Sequence, residues 1–325
     1  MDTAGPDTGV IQSAVDLACR APSVHNSQPW HWRYSSGRLD LFSDRTRLLP
    51  STDPSGRQLH ISCGAALHHV EVALTSLRWR SDIDLLPEPS LPRLVASIRC
   101  HRDATPRSHD FDLVSAIRHR RTDRRPFDPV SAAAGPVEGL ADPVGRFGVA
   151  LTVLAPEART TLAAATDASA AARRYDSDYQ AELHWWAGHS LPTEGIPPDS
   201  LATSDESARV SIGRAFPHPG RQESTPRPGV DQSTVLMLST DSDTAAAWTR
   251  CGQALSAVLL EATSRGMATC PLTHLTDVER SRDMIAGLAP HGGFPQVLLR
   301  VGSVTSPPPA GHTPRRSTAD VLTLH

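Results

Sequence analysis

The sequence predicts an α+β protein in which one layered unit of helices and strands is built twice in tandem. Three observations support this prediction: an internal repeat, the two long amphipathic helices that carry it, and short β-type runs beside each helix. The chain has 325 residues, which is about two domains of ~150 residues each. We therefore expect a first half over residues 1–110 and a second half over residues 111–325.

The internal repeat lies in two predicted helices, residues 58–79 and 244–265, whose apolar residues recur at helical spacing. Alanine-rich helices can resemble one another by composition alone. Matching Cys-Gly and Thr-Ser pairs favour a true repeat over that alternative. The residues that recur in the same order and spacing are Cys63, Gly64, Ala66, Leu67, Val70, Thr75 and Ser76 in the first copy and Cys251, Gly252, Ala254, Leu255, Val258, Thr263 and Ser264 in the second.

Short runs of β-branched and aliphatic residues flank each repeated helix and predict strands. The runs are residues 39–42 and 95–98 in the first half, and residues 149–154, 235–238 and 297–301 in the second. Further helices are predicted at residues 11–19 and 161–172. Two such units in one chain imply an α+β layered domain that is built twice and packed on itself.

Composition limits the function classes. A net charge of −3 without a long basic run gives little support to nucleic-acid binding. No apolar stretch approaches the ~18 residues of a membrane span, and residues 1–10 do not resemble a signal peptide. The five scattered cysteines lack a C-x-x-C pair and suit reduced thiols. We expect a cytoplasmic protein.

The chain contains no lysine. Pyridoxal chemistry and the standard ATP-binding motifs need an amine at a defined position, so both are excluded. Any phosphate must be held by arginine, backbone amides or hydroxyls. No histidine lies in an H-E-x-x-H motif, and the adjacent pair His68 and His69 would point about 100° apart on a helix. We expect no metal site.

One turn-rich segment, residues 21–32 (APSVHNSQPWHW), follows the first helix and occurs only once. Its hydroxyl, amide and imidazole groups lie within a few residues of indole rings, which suits a planar ligand with polar edges such as a flavin. The alternative is a capped helix end and a turn, with Trp30 and Trp32 in the core.

A second candidate is the arginine run at residues 117–128 (IRHRRTDRRPFD). Guanidinium groups pair with a flavin phosphate through charge-assisted hydrogen bonds, and Thr122 adds a hydroxyl. Without other evidence, a solvated helix end is the simpler interpretation. A further basic pair, Arg315 and Arg316, lies in the C-terminal tail.

The inserted segment at residues 173–229 combines aromatic residues with many Pro, Ser, Asp and Gly residues. Segments of this length are usually functional or disordered, and Trp185 and Trp186 argue against disorder because they would be costly to expose. We interpret it as a lid over the ligand, with a surface insertion as the alternative. Tyr175, Trp185 and Trp186 are the expected shield of the ligand.

Taken together, these motifs resemble the nitroreductase-like FMN proteins, and among them the Acg type of NAD(P)H nitroreductase from actinobacteria. The likeness rests on APSVHNSQPW, RRTDRRPF, YDSDYQAELHWW with EGIP, CGQALSAVLLEAT and TCPLTH. It implies a nitroreductase-like fold duplicated in tandem, so that one chain forms the pseudo-dimer that usually needs two subunits. Because NSQPW and the arginine run each occur once, it implies one complete FMN site, for which a monomer is sufficient, although further dimerisation stays open.

The resemblance also implies roles for individual residues. Arginines hold the FMN phosphate, NSQPW borders the isoalloxazine ring, and the backbone after the strand near residue 272 faces flavin N5. That loop departs from the family pattern P-x-E-G at Thr273 and His274, which replace the acidic residue and the glycine at the reactive edge. The implied cofactor-binding residues are Ser23, His25, Asn26, Ser27, Gln28, Pro29, Trp30, Arg120, Thr122, Arg124, Leu272, Thr273, His274, Arg315 and Arg316.

The implied activity is ping-pong reduction of an electron-poor nitro or quinone-type acceptor by NAD(P)H, with the electrons carried by the flavin. Thr273 and His274 are the candidates for residues near N5. The alternative is an FMN storage or sequestration protein with a closed lid. A third interpretation, a structural protein without a cofactor, would require solvated arginines.

Overall fold

The computed structural model describes residues 5–188, 193–217, 220, 229–305 and 313–325. Its helices are α1 Thr8–Ala18, α2 Arg57–Ser76, α3 Ser108–His119, α4 Ala158–Arg173, α5 Ser177–Trp186, α6 Ser204–Ala208, α7 Ala245–Ser264, α8 His274–Asp277, α9 Glu279–Ala286 and α10 Thr318–Val321. Its strands are β1 Trp30–Ser35, β2 Arg38–Ser43, β3 Arg80–Leu85, β4 Leu94–His101, β5 Ala150–Val153, β6 Thr234–Thr240, β7 Ala268–Leu272, β8 Phe294–Gly302 and β9 Leu322–Leu324. The prediction of an α+β fold is confirmed.

The strands form two sheets. The five-stranded sheet has the order β3-β4-β2-β1-β9, and the four-stranded sheet has the order β5-β6-β8-β7. All neighbours pair antiparallel except β9, which runs parallel to β1 with Leu322 opposite Trp32. Residues 322–324 therefore join the sheet that β1 to β4 form, although the second sheet lies between them in sequence.

The repeated helices α2 and α7 pack against each other at their glycines. A Cβ atom at Gly64 would lie 2.0 Å from the carbonyl oxygen of Thr249, and one at Gly252 would lie 2.0 Å from that of Ile61. Only glycine allows this approach at both positions. The contact is reciprocal, because each glycine meets the residue three positions before the other.

Trp30 and Trp32 are fully buried in the core between α1, α2 and the first sheet. They lie two residues apart on β1, so both side chains leave the same face of the sheet. The interpretation of these two residues as core residues is therefore correct. A second apolar cluster forms where α7 packs on the second sheet, and the two clusters interlock through Leu260 of α7 in the first and Ile61 of α2 in the second.

No helix among the described residues is both long enough and apolar enough to span a membrane. All five cysteines are free thiols, and burial raises the pKa of Cys251 to about 12. Within the described ranges, His, Cys, Asp and Glu side chains form no cluster of three that could hold a metal ion.

Candidate functional site

A cavity of about 400 Å³ lies where the turn after α1, the arginine run, the end of β7, the C-terminal tail and the inserted segment meet. Its volume is within the ~300–1,000 Å³ typical of small-molecule sites. The predicted residues that line it are Ser23, His25, Asn26, Arg120, Thr122, Arg124, Leu272, Thr273, His274 and Arg315. Segments far apart in sequence thus converge on one pocket.

The other predicted residues lie outside the cavity wall: Ser27, Gln28, Pro29, Trp30 and Arg316. Trp30 was expected to border the ligand, but it begins β1 and points into the core. Gln28 is fully buried, and its side chain bonds other parts of the protein backbone. This part of the motif supports the wall from behind.

The turn after α1 has an unusual backbone. His25, Asn26 and Gln28 all have positive φ angles, of 49°, 57° and 50°. Such left-handed conformations are uncommon for residues other than glycine and cost about 1–3 kcal/mol each, so they persist only where surrounding contacts enforce them. Both ring nitrogens of buried His25 lack a hydrogen-bond partner among the described residues. A ligand in the cavity could satisfy them.

His25 is held neutral. Burial, followed by the nearby charges of Arg214 and Arg124, lowers the pKa of His25 well below its usual value of 6.5. One ring nitrogen is then a donor and the other an acceptor at neutral pH. The side chain can therefore serve a neutral heterocycle without bringing a charge to it.

One end of the cavity collects arginine side chains. Arg120 Nη2 and Arg315 Nη2 lie 3.2 Å and 3.4 Å from the same acceptor, the carbonyl oxygen of Arg20. Among the described residues, neither guanidinium forms an ion pair with a carboxylate, and Nε and Nη1 of Arg120 have no partner. Two cations on one carbonyl, without a counterion in the described part of the chain, are an arrangement that a bound anion would stabilise.

The pKa values agree with this geometry. Burial lowers the pKa of Arg120 to about 10, and burial together with the charges of Arg120 and Arg20 lowers the pKa of Arg315 to about 9. A bound anion would remove this unfavourable situation by offsetting both charges. The alternative of a solvated helix end does not hold for Arg120, which directly follows α3 and is buried.

Arg124 contacts a different part of the wall. Its Nη1 donates to the carbonyl oxygen of Ser200 at 2.8 Å, and its guanidinium lies 5.2 Å from the ring centroid of Phe216. Both partners belong to the inserted segment. The nearby Arg300 is fully buried and paired with Asp231 at 2.8 Å, so it is neutralised by the protein itself.

Arg214, also from the inserted segment, reaches the loop after β7. It donates to Thr273 Oγ1 at 3.1 Å and forms an ion pair with Asp277, whose side chain is only 3% exposed. Burial alone would lower the pKa of Arg214, but Asp277 and Tyr179 outweigh burial and raise it. This arginine is therefore a neutralised part of the wall, unlike Arg120 and Arg315.

His274 lies at the start of α8, and its Nε2 is 3.3 Å from Thr166 Oγ1. Burial, with the charges of Arg214 and Arg300, lowers its pKa to about 3. The imidazole is neutral throughout the physiological range, and its buried Nδ1 has no described partner. It cannot supply protons as an imidazolium ion near pH 7.

The inserted segment forms one wall of the cavity, but not through the residues expected from the sequence. Tyr175 is 88% exposed and Trp185 is 59% exposed, and Trp186 does not line the cavity. The expectation that these three rings shield the ligand is wrong, because α5 packs on its neighbours through Tyr179 and Leu183 instead. The segment lines the cavity through Ile196, Ser200, Leu201, Ala202, Ser204, Ser207, Val210, Gly213, Arg214, Ala215 and Phe216.

The chain has close relatives along nearly its whole length. It is 43% identical over 97% of its length to "Putative NAD(P)H nitroreductase acg" of Mycobacterium tuberculosis, 96% of which is covered. An uncharacterized protein of the same species, Rv3127, is also 43% identical over 97% of the chain and is covered to 93%. The chain belongs to this nitroreductase family. No protein-family model matches the chain.

Solved structures of nitroreductases also align with the chain. The FMN-dependent nitroreductase NfnB from Mycobacterium smegmatis, in complex with NADPH, is 15% identical with a TM-score of 0.43, covering 66% of this chain and 97% of its own. A nitroreductase with bound FMN from Bacteroides fragilis is 16% identical with a TM-score of 0.38, covering 63% of this chain and 95% of its own.

Sequence reasoning missed Arg214, Asp277 and Phe216 in this member of the nitroreductase family. Arg214 and Phe216 belong to a proline-rich segment without periodicity, so no local pattern indicated which side chains face inward. The charge pair of Arg214 and Asp277 joins residues 63 positions apart, which no local sequence pattern indicates.

Proposed function

We propose that this chain is an FMN-binding flavoprotein with one site per chain, built from both halves. The observation that carries the proposal is the pair Arg120 and Arg315, which share one carbonyl oxygen and have no described carboxylate partner. A phosphate monoester is nearly dianionic and is well matched by two guanidinium groups. The wall residues at the other end suit a polar-edged ring.

The residues present fit FMN in three respects. The cavity volume suits a single small ligand. The unpaired nitrogens of Arg120, His25 and His274 are buried donors or acceptors that a ligand can satisfy. Arg120 and Arg315 would hold the phosphate, while His25 and Thr273 would meet the isoalloxazine edge.

The contacts support different roles for different arginines. We assign the phosphate to Arg120 and Arg315, and place Arg124 and Arg214 near the ring, because both bind the inserted segment or the loop after β7. This assignment differs from the sequence-based grouping of Arg124 with the phosphate ligands. Arg316 supports the turn from behind, with its backbone N–H donating to Gln28 Oε1 at 2.8 Å.

The proposed activity follows from the family. When bound, FMN supplies a two-electron carrier between NAD(P)H and an electron-poor nitro or quinone-type acceptor. The chain's own residues bind the phosphate, orient the ring and exclude water. His274 stays neutral, so it can hydrogen-bond at the reactive edge without changing the local charge.

We further propose that the chain arose by tandem duplication and forms a pseudo-dimer alone. The reciprocal contact of Gly64 and Gly252 supports this, because a two-fold axis makes residue i touch j and j touch i. The division into residues 1–110 and 111–325 stays a prediction, and β9 at residues 322–324 pairs with β1 of the first sheet.

FMN storage is the second candidate, and the fastening of the inserted segment favours it. Glu194 pairs with Arg47, and Glu182 accepts the backbone N–H groups of Ser51 and Thr52 at 3.0 Å and 2.8 Å. With the pair of Arg214 and Asp277, the segment is held to both halves. A lid so held would slow both ligand release and the approach of a nicotinamide.

The flavin content and its reduction test these proposals. Heat-released flavin from reconstituted protein should equal about one FMN per chain, since only one phosphate site is proposed. Two equivalents would contradict the single site, and none would overturn the flavoprotein proposal. Anaerobic bleaching of the visible spectrum by NAD(P)H, followed by rapid turnover of a nitroaromatic or quinone, would support the oxidoreductase. A bound flavin that resists bleaching would support storage.

A further inference from the structure

Asn26 joins three separate segments of the chain. Its Nδ2 donates to the carbonyl oxygens of Gly195 at 2.9 Å and Pro314 at 3.0 Å, and its Oδ1 accepts from Arg315 Nη1 at 2.9 Å. Gly195 belongs to the inserted segment, and Pro314 and Arg315 belong to the C-terminal tail. One amide therefore contacts both the proposed lid and a proposed phosphate ligand.

Gln28 repeats this arrangement two residues later. Its Nε2 donates to the carbonyl oxygen of Thr193 in the inserted segment at 2.7 Å, and its Oε1 accepts the backbone N–H of Arg316 at 2.8 Å. An amide is suited to this position because it presents a donor and an acceptor at once. A carboxylate could keep the bond to the tail but not the one to the inserted segment.

The backbone of the turn makes these contacts specific. Asn26 and Gln28 both have left-handed φ angles, which are unfavourable outside glycine and need compensating contacts. Both side chains are at least nine-tenths buried, so their hydrogen bonds are shielded from water. The turn is thus a rigid connector between the tail and the inserted segment.

We propose that Asn26 and Gln28 are positioning residues that couple phosphate binding to closure of residues 193–217. Phosphate fixes Arg315, Arg315 fixes the Asn26 amide, and the amide holds Gly195. The site then closes more firmly over FMN than over riboflavin. This inference rests on the proposed function, and it predicts that a phosphorylated flavin is retained selectively.

Hydrogen exchange of the backbone amides in residues 193–217 tests the coupling. The protein is measured without ligand, with saturating riboflavin and with saturating FMN. We expect FMN to slow exchange there about 5- to 150-fold more than riboflavin does, the range typical of coupled sites. In Gln28→Glu, which keeps an acceptor for the tail but loses the donor to the inserted segment, and in Asn26→Gly, which removes the amide and permits the positive φ, this difference should fall to about onefold.

A matched control is Gln180→Glu, the same chemical change within the inserted segment, where the amide donates only to the carbonyl oxygen of Arg173 at 2.9 Å. It should keep the full difference between the two flavins. Exchange in α7 shows whether each variant is folded. Equal protection by FMN and riboflavin in the wild-type protein, or an unchanged difference in both turn variants, would overturn the coupling. Absence of flavin binding altogether would instead overturn the proposed function.

Discussion

The arginines at the two ends of the cavity differ in whether they have a carboxylate partner. Arg120 and Arg315 share a backbone carbonyl and have no described carboxylate partner, whereas Arg214 is paired with Asp277 inside the protein. Both arrangements place guanidinium groups in a poorly solvated wall. At one end the arginines have no carboxylate partner among the described residues. At the other end Asp277 of the protein itself provides the negative charge.

The difference distinguishes two kinds of buried arginine, those without a carboxylate partner and those with one. A guanidinium without a counterion is unfavourable in the free protein and becomes favourable only when a ligand brings negative charge. A guanidinium that is already paired with a carboxylate contributes to folding stability. Its removal leaves that buried carboxylate without a counterion, which destabilises the folded protein. Ligand binding should therefore depend on the first kind, and folding on the second.

The largest effect is expected at the paired end. Arg214→Met leaves the buried Asp277 carboxylate without its closest partner, and Arg57 at 4.0 Å compensates only in part. We expect a loss of about 3 kcal/mol in the free energy of unfolding, measured with urea on the ligand-free protein. Adding Asp277→Asn should recover much of this loss, because the stranded charge is removed. An unchanged stability in the single variant would contradict the assignment of Arg214 as a structural cation.

The unpaired end should show the opposite behaviour. Arg120→Met and Arg315→Met should each weaken FMN binding about 10- to 150-fold, since a hydrogen bond to a charged group contributes roughly 1.5–3 kcal/mol. Riboflavin lacks the phosphate, so its affinity should change far less. The stability of the ligand-free variants should change less than that of Arg214→Met, because no carboxylate is stranded. Equal losses for both flavins would show that these arginines act through folding.

Many of the helices and strands that surround the cavity could be predicted from the sequence. The helices at residues 58–79 and 244–265 match α2 and α7 closely, because a long apolar stripe at helical spacing is a strong signal. Strands β1, β3 and β9 were not predicted. Trp30 was assigned to a ligand, and the three residues of β9 are too few for a recognisable pattern.

Site residues could be predicted where they belong to a short sequence motif. They could not be predicted where a distant, nonperiodic segment folds over the cavity. His25, Asn26 and Arg120 stand in motifs, and all three line the cavity. Arg214 and Phe216 gain their roles only when a nonperiodic segment folds over the pocket. Trp185 shows the reverse error, since a large ring predicted to be covered is mostly exposed.

Arg124 tests where the boundary between the two ends lies. Its contacts with Ser200 and Phe216 belong to the inserted segment and involve neither of the proposed phosphate ligands Arg120 and Arg315. Arg124→Met removes a hydrogen bond and a cation–π contact, each worth about 1 kcal/mol or less. We expect FMN and riboflavin affinities to fall equally, by about tenfold. A loss confined to FMN would move Arg124 to the phosphate end.

The smallest effect, and the most direct comparison of the two ends, is the pH dependence of binding. The second pKa of a phosphate monoester is about 6, and the guanidinium groups favour its dianion, so the pKa of bound phosphate is lowered. FMN affinity should be at its maximum above about pH 6, where the free phosphate is already a dianion. Below about pH 6 it should fall by at most tenfold per pH unit. Riboflavin affinity should stay level between pH 5 and 8, because burial already keeps His25 neutral with its pKa well below 6.5. Fluorescence titrations of both flavins across this range measure the two profiles. Parallel profiles for FMN and riboflavin would mean that a protein group at the ring end, rather than the phosphate, controls the titration.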